Sequence, residues 1–152
     1  LGKDYSFPPS IGVLIENPAF IPEYSAFKNL KVLASINSKV TDDEIKEVLE
    51  QVGLNPNDKK IYKKFSLGMK QKLGIANAVM GSPKVVLLDE PINAIDESGV
   101  ENVRQIIAKL KENGSIIIVA CHDKEELEFL SDEIYTIFEG KIVGHRSLKE
   151  NE

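Results

Sequence analysis

The spacing of hydrophobic and polar positions changes along the chain. Ile11–Ile15 is a short apolar run entered from Pro8-Pro9 and reads as a strand. Asn17-Pro18 and Pro22 break the chain just after it. From Ser25 to Ile36, Phe27, Leu30, Leu33 and Ala34 share one helical face. Thr41, with Glu44 three residues on, has the capping-box form and opens a second helix. That helix carries Ile45, Val48, Leu49 and Val52 and ends at Gly53. A third helix is expected from Ser66 to Val79, stopped by Gly81 and Pro83. Beyond it the pattern shifts. Val85–Leu88 is a continuous apolar run, the form of a strand buried on both faces. A helix from about Glu97 to Glu112, closed by Gly114, leads to a second buried strand, Ile116–Ala120. Asp123 caps a short acidic helix to Leu130. Ile134–Phe138 and Lys141–Val143 form a hairpin turned by Glu139-Gly140. The predicted organisation is an all-helical insertion, about residues 17–80, within an α/β core of largely parallel strands, about 1–16 and 81–152.

Composition narrows the class. The chain has 152 residues, 42% hydrophobic and 28% charged, which fits one ordinary globular domain. The single cysteine, Cys121, excludes a disulfide framework and reads as a small buried hydrophobe. With only two histidines beside it, the common Cys/His zinc modules are excluded too. No apolar run approaches the roughly 18 residues of a membrane span. Leu1-Gly2-Lys3-Asp4-Tyr5 has no signal-peptide core, and without an initiator methionine a trimmed or internal piece of a longer protein is expected. The net charge of −5 argues against a general nucleic-acid footprint.

Three constellations can carry chemistry. The apolar run Val85–Leu88 ends in Asp89-Glu90-Pro91, at the strand end where open α/β sheets place ligands. Asp89 can hold Mg²⁺ and Glu90 can polarise an attacking water, but taken alone the pattern favours a strand that merely ends in solvated acids, because apolar-then-acid edges are frequent. In Phe65–Leu73, Ser66 opens a helix with Gly68 in its first turn. The free N–H groups and positive dipole end of such a helix suit a phosphate. An ordinary N-cap explains Ser66 as well. Lys70 sits where acids are preferred, a misfit that an anionic ligand would explain. His122 follows Ile116–Ala120, where it can touch a phosphoryl group or orient water, although a structural role is the commoner one. His145 has no such setting. Asn93-Ala94-Ile95-Asp96 leads into a helix, with Asp96 or Ser98 as its cap.

Order and spacing bring these together. Asp89 comes 23 positions after Ser66, and His122 comes 32 after Glu90. The arrangement resembles the ATP-binding subunit of ABC transporters over Ile11 to Val143. Phe65-Ser66-Leu67-Gly68-Met69 matches the signature, Leu87–Pro91 the Walker B end, Asn93–Asp96 the D-loop and His122 the switch histidine. The resemblance implies a P-loop NTPase-like ABC ATPase core with an inserted helical subdomain, using ATP and Mg²⁺. It implies Glu90 as general base and His122 as a γ-phosphate contact. Asp89 and Glu16 would attend Mg²⁺. Ser66, Leu67, Gly68 and Met69 would grip the nucleotide of a second such subunit, and Asp96 would link the two sites. A transmembrane permease subunit would dock around Pro18–Tyr24 and the first helix, so the protein would lie at the cytoplasmic face of the cell membrane. No nucleic-acid partner is implied.

Two departures narrow the branch. The signature reads Ser-Leu-Gly-Met where the family usually has Ser-Gly-Gly-Gln, and Glu16 stands where most members carry the Q-loop glutamine. Both resemble exporters of the bacitracin-resistance and lantibiotic-immunity type, which implies export of a peptide antibiotic or similar substrate. No G-x-x-x-x-G-K-[ST] occurs in the chain. The family places that loop before the Q-loop. The expectation is therefore a domain incomplete at its N-terminus, inactive as this fragment alone. The rivals are a soluble ABC ATPase of translation or DNA repair and a non-catalytic interaction fragment. The first would need a second ATPase domain, coiled-coil arms or a basic surface, and the chain shows none of these.

Overall fold

The computed structural model describes residues 10–16, 18–36 and 40–148. The Pro8-Pro9 turn and the expected break at Asn17 lie outside the described residues. The chain divides into two compact units, Leu1–Ala120 and Cys121–Glu152.

The first unit runs β1 (Ile11–Leu14), α1 (Ala26–Ala34), α2 (Asp42–Gln51), a 3₁₀ turn (Tyr62–Lys64), α3 (Leu67–Val79), β2 (Val85–Asp89), α4 (Glu97–Glu112) and β3 (Ile116–Ala120). The strands form one parallel sheet in the order β1-β2-β3, with Leu14 opposite Leu88 and Asp89 opposite Ala120. Parallel neighbours need a crossover. The segment containing α1, α2 and α3 supplies the first, and α4 supplies the second.

Short-range chemistry sets the helix starts. The Ser25 hydroxyl accepts from the Lys28 N–H, and the Ser66 hydroxyl accepts from the Met69 N–H. Thr41 and Glu44 form the expected capping box. The Glu44 carboxyl is held below its ordinary value by the Thr41 N–H and then by the Thr41 hydroxyl. The buried Asn29 side chain pins the loop before α1: its Oδ1 accepts from the Ile21 N–H at 2.8 Å, and its Nδ2 faces the Ile21, Tyr24 and Ser25 carbonyls.

The core gathers Leu14, Val86 and Leu88 from the sheet, Leu73, Ile75, Ala76 and Val79 from α3, and Val103, Ile106, Ile107 and Leu110 from α4. The α3 helix lies very close to β1. A Cβ at Gly12 would stand 1.6 Å from the Ala78 carbonyl oxygen, and one at Gly74 would stand 2.7 Å from Leu14 Cδ1. Glycine at both positions is what permits this separation.

Two sequence expectations are corrected. In β2, Val86 and Leu88 are buried while Val85, Leu87 and Asp89 are half-buried, so the strand alternates. In β3, expected to be buried, Ile116 is 64% and Ile118 58% exposed. β3 lies at the edge of the three-strand sheet, and its other residues are at most half-buried. An apolar run reports what a strand can be buried against, and neighbours decide how much of it is covered.

The second unit holds α5 (Lys124–Leu130) and an antiparallel hairpin of β4 (Glu133–Phe138) and β5 (Lys141–Ser147). Asp123 caps α5 by accepting from the Glu125 and Glu126 N–H groups. The hairpin turns at Glu139 and Gly140, with φ of 48° and 74°, the left-handed pair of a type I′ turn. It runs longer than expected at its open end, by Glu133 on β4 and Gly144–Ser147 on β5. Its Tyr135 and His145 rings stack across the strands with centroids 4.5 Å apart. Cys121 is half-buried rather than buried, and its Sγ lies 3.4 Å from the Asp123 N.

Candidate functional site

The parallel register brings the carboxyl ends of the strands to one edge. Leu14 ends β1 beside Leu88, so Glu16 and the Asp89-Glu90 pair leave the sheet on the same side. Asp89 closes β2 and is half-buried; Glu16 is exposed. Just past the strand, Glu90 takes a left-handed φ of 47°, and its N–H donates to the Ala120 carbonyl at 2.8 Å. The end of β3 thereby holds the bend that carries Glu90. Pro91 is buried beneath it, and Ala94 takes a second left-handed φ of 60°. Such conformations in residues other than glycine cost about 1–3 kcal/mol each and persist only when the surroundings hold them.

The surroundings here are the first turns of α3. The Gln71 amide Nε2 donates to the Glu90 carbonyl at 2.8 Å and to the Pro91 carbonyl at 3.3 Å. One residue on, the Lys72 ammonium reaches the Asp96 Oδ1 at 2.7 Å, from a side chain only 15% exposed. The Ser98 hydroxyl donates to the other Asp96 oxygen. Lys72 first, then Ser98, draw the Asp96 carboxyl down to about 2. Asp96 occupies the cap position of α4, yet its side chain makes no capping bond. Of the two residues expected as the cap, Asp96 holds the position, with its carboxylate engaged by Lys72 and Ser98 instead of the helix N–H groups. A Cβ at Gly68 would come within 2.7 Å of the Ala94 carbonyl oxygen, so the α3 start and the 90–96 loop meet backbone to backbone.

The same helix start faces outward. Ser66 and Leu67 are exposed, while Gly68 and Met69 are half-buried. The first-turn N–H groups of Leu67 and Gly68 have no carbonyl one turn back to bond, and no acid lies in that turn. The result is a positively polarised patch suited to an oxyanion. The Lys70 ammonium sits 5.2 Å from the centroid of the Tyr62 ring, a cation–π contact. His122 belongs to the second unit, where it is exposed immediately before the Asp123 cap.

The structure thus joins Glu16, Asp89 and Glu90 at one sheet edge, and Ser66–Met69 with the 90–96 loop. Gln71 and Lys72 escaped the sequence reading. Their partners lie 19 to 24 residues away, a separation that leaves no periodic trace. Among the described residues no group of three His, Cys, Asp or Glu side chains is placed to hold a metal ion. Mg²⁺ usually takes one or two carboxylates and fills the rest of its shell with water and substrate phosphates. Asp89, with Glu16 on the same edge, suits that mode of binding.

The ABC transporter family profile matches residues 3–93. The chain belongs to the ABC transporter family. It is 46% identical over 142 residues to YybJ, an ABC transporter ATP-binding protein of Bacillus subtilis, covering 93% of this chain and 65% of that one. It is 38% identical over 141 residues to the bacitracin transport ATP-binding protein BcrA of Enterococcus faecalis, covering 92% and 46%. To the lantibiotic transport ATP-binding protein SrtF of Streptococcus pyogenes it is 43% identical over 133 residues, covering 88% and 58%. The chain therefore spans about half to two thirds of the length of these curated relatives. A dimeric ATP-binding cassette solved in a post-hydrolysis state with ADP and Pi shares the fold, with a TM-score of 0.84 at 22% identity, over 93% of this chain and 64% of that one. Among the described residues no helix is long and apolar enough to cross a membrane.

Proposed function

We propose that the longer protein to which these residues belong is the ATP-hydrolysing subunit of an ABC transporter. The observation that carries this is the Asp89-Glu90 pair at the shared carboxyl edge of parallel strands, with the Glu90 bend anchored to Ala120. Glu90 would accept the proton of the attacking water. Asp89, with Glu16 leaving the same sheet edge, would hold Mg²⁺, which neutralises phosphate charge and orients the phosphoryl group when bound. The outward start of α3, Ser66 to Met69, would grip the nucleotide held by a second copy. His122 would contact the γ-phosphate, and Asp96 would join the two sites. The phosphate-cradling loop and its lysine would come from the remainder of the longer protein. The exposed Ile116 and Ile118 are consistent with a further layer against β3.

In this reading residues 17–80 act as the helical subdomain and the rest as the α/β core. The loop at Pro18–Tyr24, pinned by Asn29 and packed through Phe20 edge-on to Tyr62 at 5.4 Å, would receive a permease subunit. That contact would place the protein at the cytoplasmic face of the membrane. The likeness to BcrA, a bacitracin transport protein, and SrtF, a lantibiotic transport protein, supports a peptide antibiotic or a similar molecule as the exported substrate.

The test is Glu90→Gln in the full-length protein. An amide cannot accept the water's proton, so steady-state hydrolysis should fall by about 10²- to 10⁴-fold while nucleotide affinity is retained. Near-normal turnover would remove Glu90 from the mechanism.

A further inference from the structure

We propose that Gln71 and Lys72 are positioning residues: they rivet the 90–96 loop to the start of α3, so that the phosphate-facing helix start and the Glu90 carboxylate move as one piece. The proposal rests on the reading of Glu90 given above and extends it to two residues with no assigned role. Three observations carry it. The Gln71 amide donates to the carbonyls of Glu90 and Pro91, the two peptide groups that define the bend. Lys72 holds the far end of the loop through Asp96 at 2.7 Å, from a largely covered position. Between those two ends the Ala94 carbonyl comes so near Gly68 that a single Cβ there would stand 2.7 Å away. The loop contains two left-handed residues, Glu90 and Ala94, a strained backbone that persists only where its surroundings hold it, and beyond the Glu90 N–H bond to Ala120 those surroundings are α3.

Rivets at both ends convert a strained turn into a fixed support. A general base acts only if its carboxylate is held within reach of the water. Gln71 and Lys72 touch neither water nor phosphate in this scheme. Their effect passes through the backbone they hold, and it should appear in turnover more than in nucleotide binding.

The experiment uses the full-length protein with Gln71→Leu, Lys72→Met and Lys72→Arg. Gln71→Leu keeps bulk and removes the donor; Lys72→Met keeps the stem and removes the charge. Hydrogen exchange of the amides in 90–96 should quicken by about tenfold in Gln71→Leu and Lys72→Met, while the amides of β2 and the middle of α3 keep their protection. In steady-state assays kcat should fall by about fivefold or more, with KM for Mg-ATP within about twofold, and Lys72→Arg should restore most of the loss. Unchanged exchange across 90–96 would overturn the proposal, as would a raised KM at normal kcat or a failure of Lys72→Arg to rescue. Lys72→Met and Lys72→Arg decide the matter alone should Gln71→Leu fail to fold. The exchange measurement needs no hydrolysis, so a full-length protein inert toward Mg-ATP would refute the reading of Glu90 while the rivets were still upheld or overturned by exchange.

Discussion

The β1-β2 pair and the β4-β5 hairpin are both apolar, yet their side chains meet different fates. Leu14, Val86 and Leu88 are buried, whereas Tyr135, Ile137, Phe138, Ile142 and Val143 are exposed. The difference follows from how each pair is connected. Parallel strands must be joined by a crossover, and the crossover lays α3 on the sheet it connects. Antiparallel strands are joined by two residues, Glu139 and Gly140, which bring no cover with them. A two-stranded hairpin is marginal in water by itself. β3 falls between these cases, sharing a crossover with β2 yet leaving Ile116 and Ile118 open. The carboxylate edge and the α3 start both lie in the closely packed region, where a strained loop can be held still.

Paired substitutions can break this contrast, and the largest effect belongs to glycine. Gly12→Ala would drive a Cβ to 1.6 Å from the Ala78 carbonyl oxygen, so helix and strand must part. The expected cost is about 4 kcal/mol, beyond the usual range of roughly 1–3 for an added methyl, read as loss of cooperative denaturant unfolding. Gly144→Ala in the hairpin meets nothing closer than Thr136 at 3.5 Å. It should stay within about 0.5 kcal/mol of the parent. Equal costs at the two glycines would mean that the hairpin is packed as tightly as the sheet.

Truncating apolar side chains gives the next largest difference. Leu88→Ala should cost about 2–4 kcal/mol, from lost burial and the cavity left behind. Ile137→Ala, at a side chain 68% exposed, should cost less than about 1 kcal/mol. Chemical denaturation of the 152-residue chain measures both. A loss at Ile137 matching that at Leu88 would show its face to be covered in solution.

Smaller effects test the capping and charge pairs of the packed unit. Thr41→Ala removes the capping box of α2 and should lower stability by about 1 kcal/mol, with helix fraying visible by hydrogen exchange in residues 42–45. The smallest concerns pH. Asp96 titrates at about 2 in the folded chain against an ordinary 3.8, so its pairing stabilises the fold above the ordinary value. That contribution is lost as pH falls from about 4 toward 2. In Asp96→Asn this part of the acid limb should flatten, by a modest amount because the carboxylate is open to solvent. An acid limb identical to the parent's would place the Lys72 contact outside the folded-state energetics.

Four of the helix starts were legible because each rests on chemistry within three or four residues. Ser25, Thr41, Ser66 and Asp123 each accept a hydrogen bond from an N–H two or three positions on, and sequence order alone displays such pairs. The order Ser66, Asp89-Glu90, His122 likewise sufficed for the family, since spacing along the chain is a property of the sequence. Burial was not legible: Val85–Leu88 and Ile116–Ala120 look alike as strings, and only their places in the sheet separate them. Nor was the hold of Gln71 and Lys72 on the 90–96 loop. It joins groups that local rules never compare, and it exists only because α3 crosses over the sheet and lands beside the end of β2. Residues near in sequence interact whatever the fold. Residues far apart interact only where the packed backbone brings them, and in this protein the support beneath Glu90 is of that second kind.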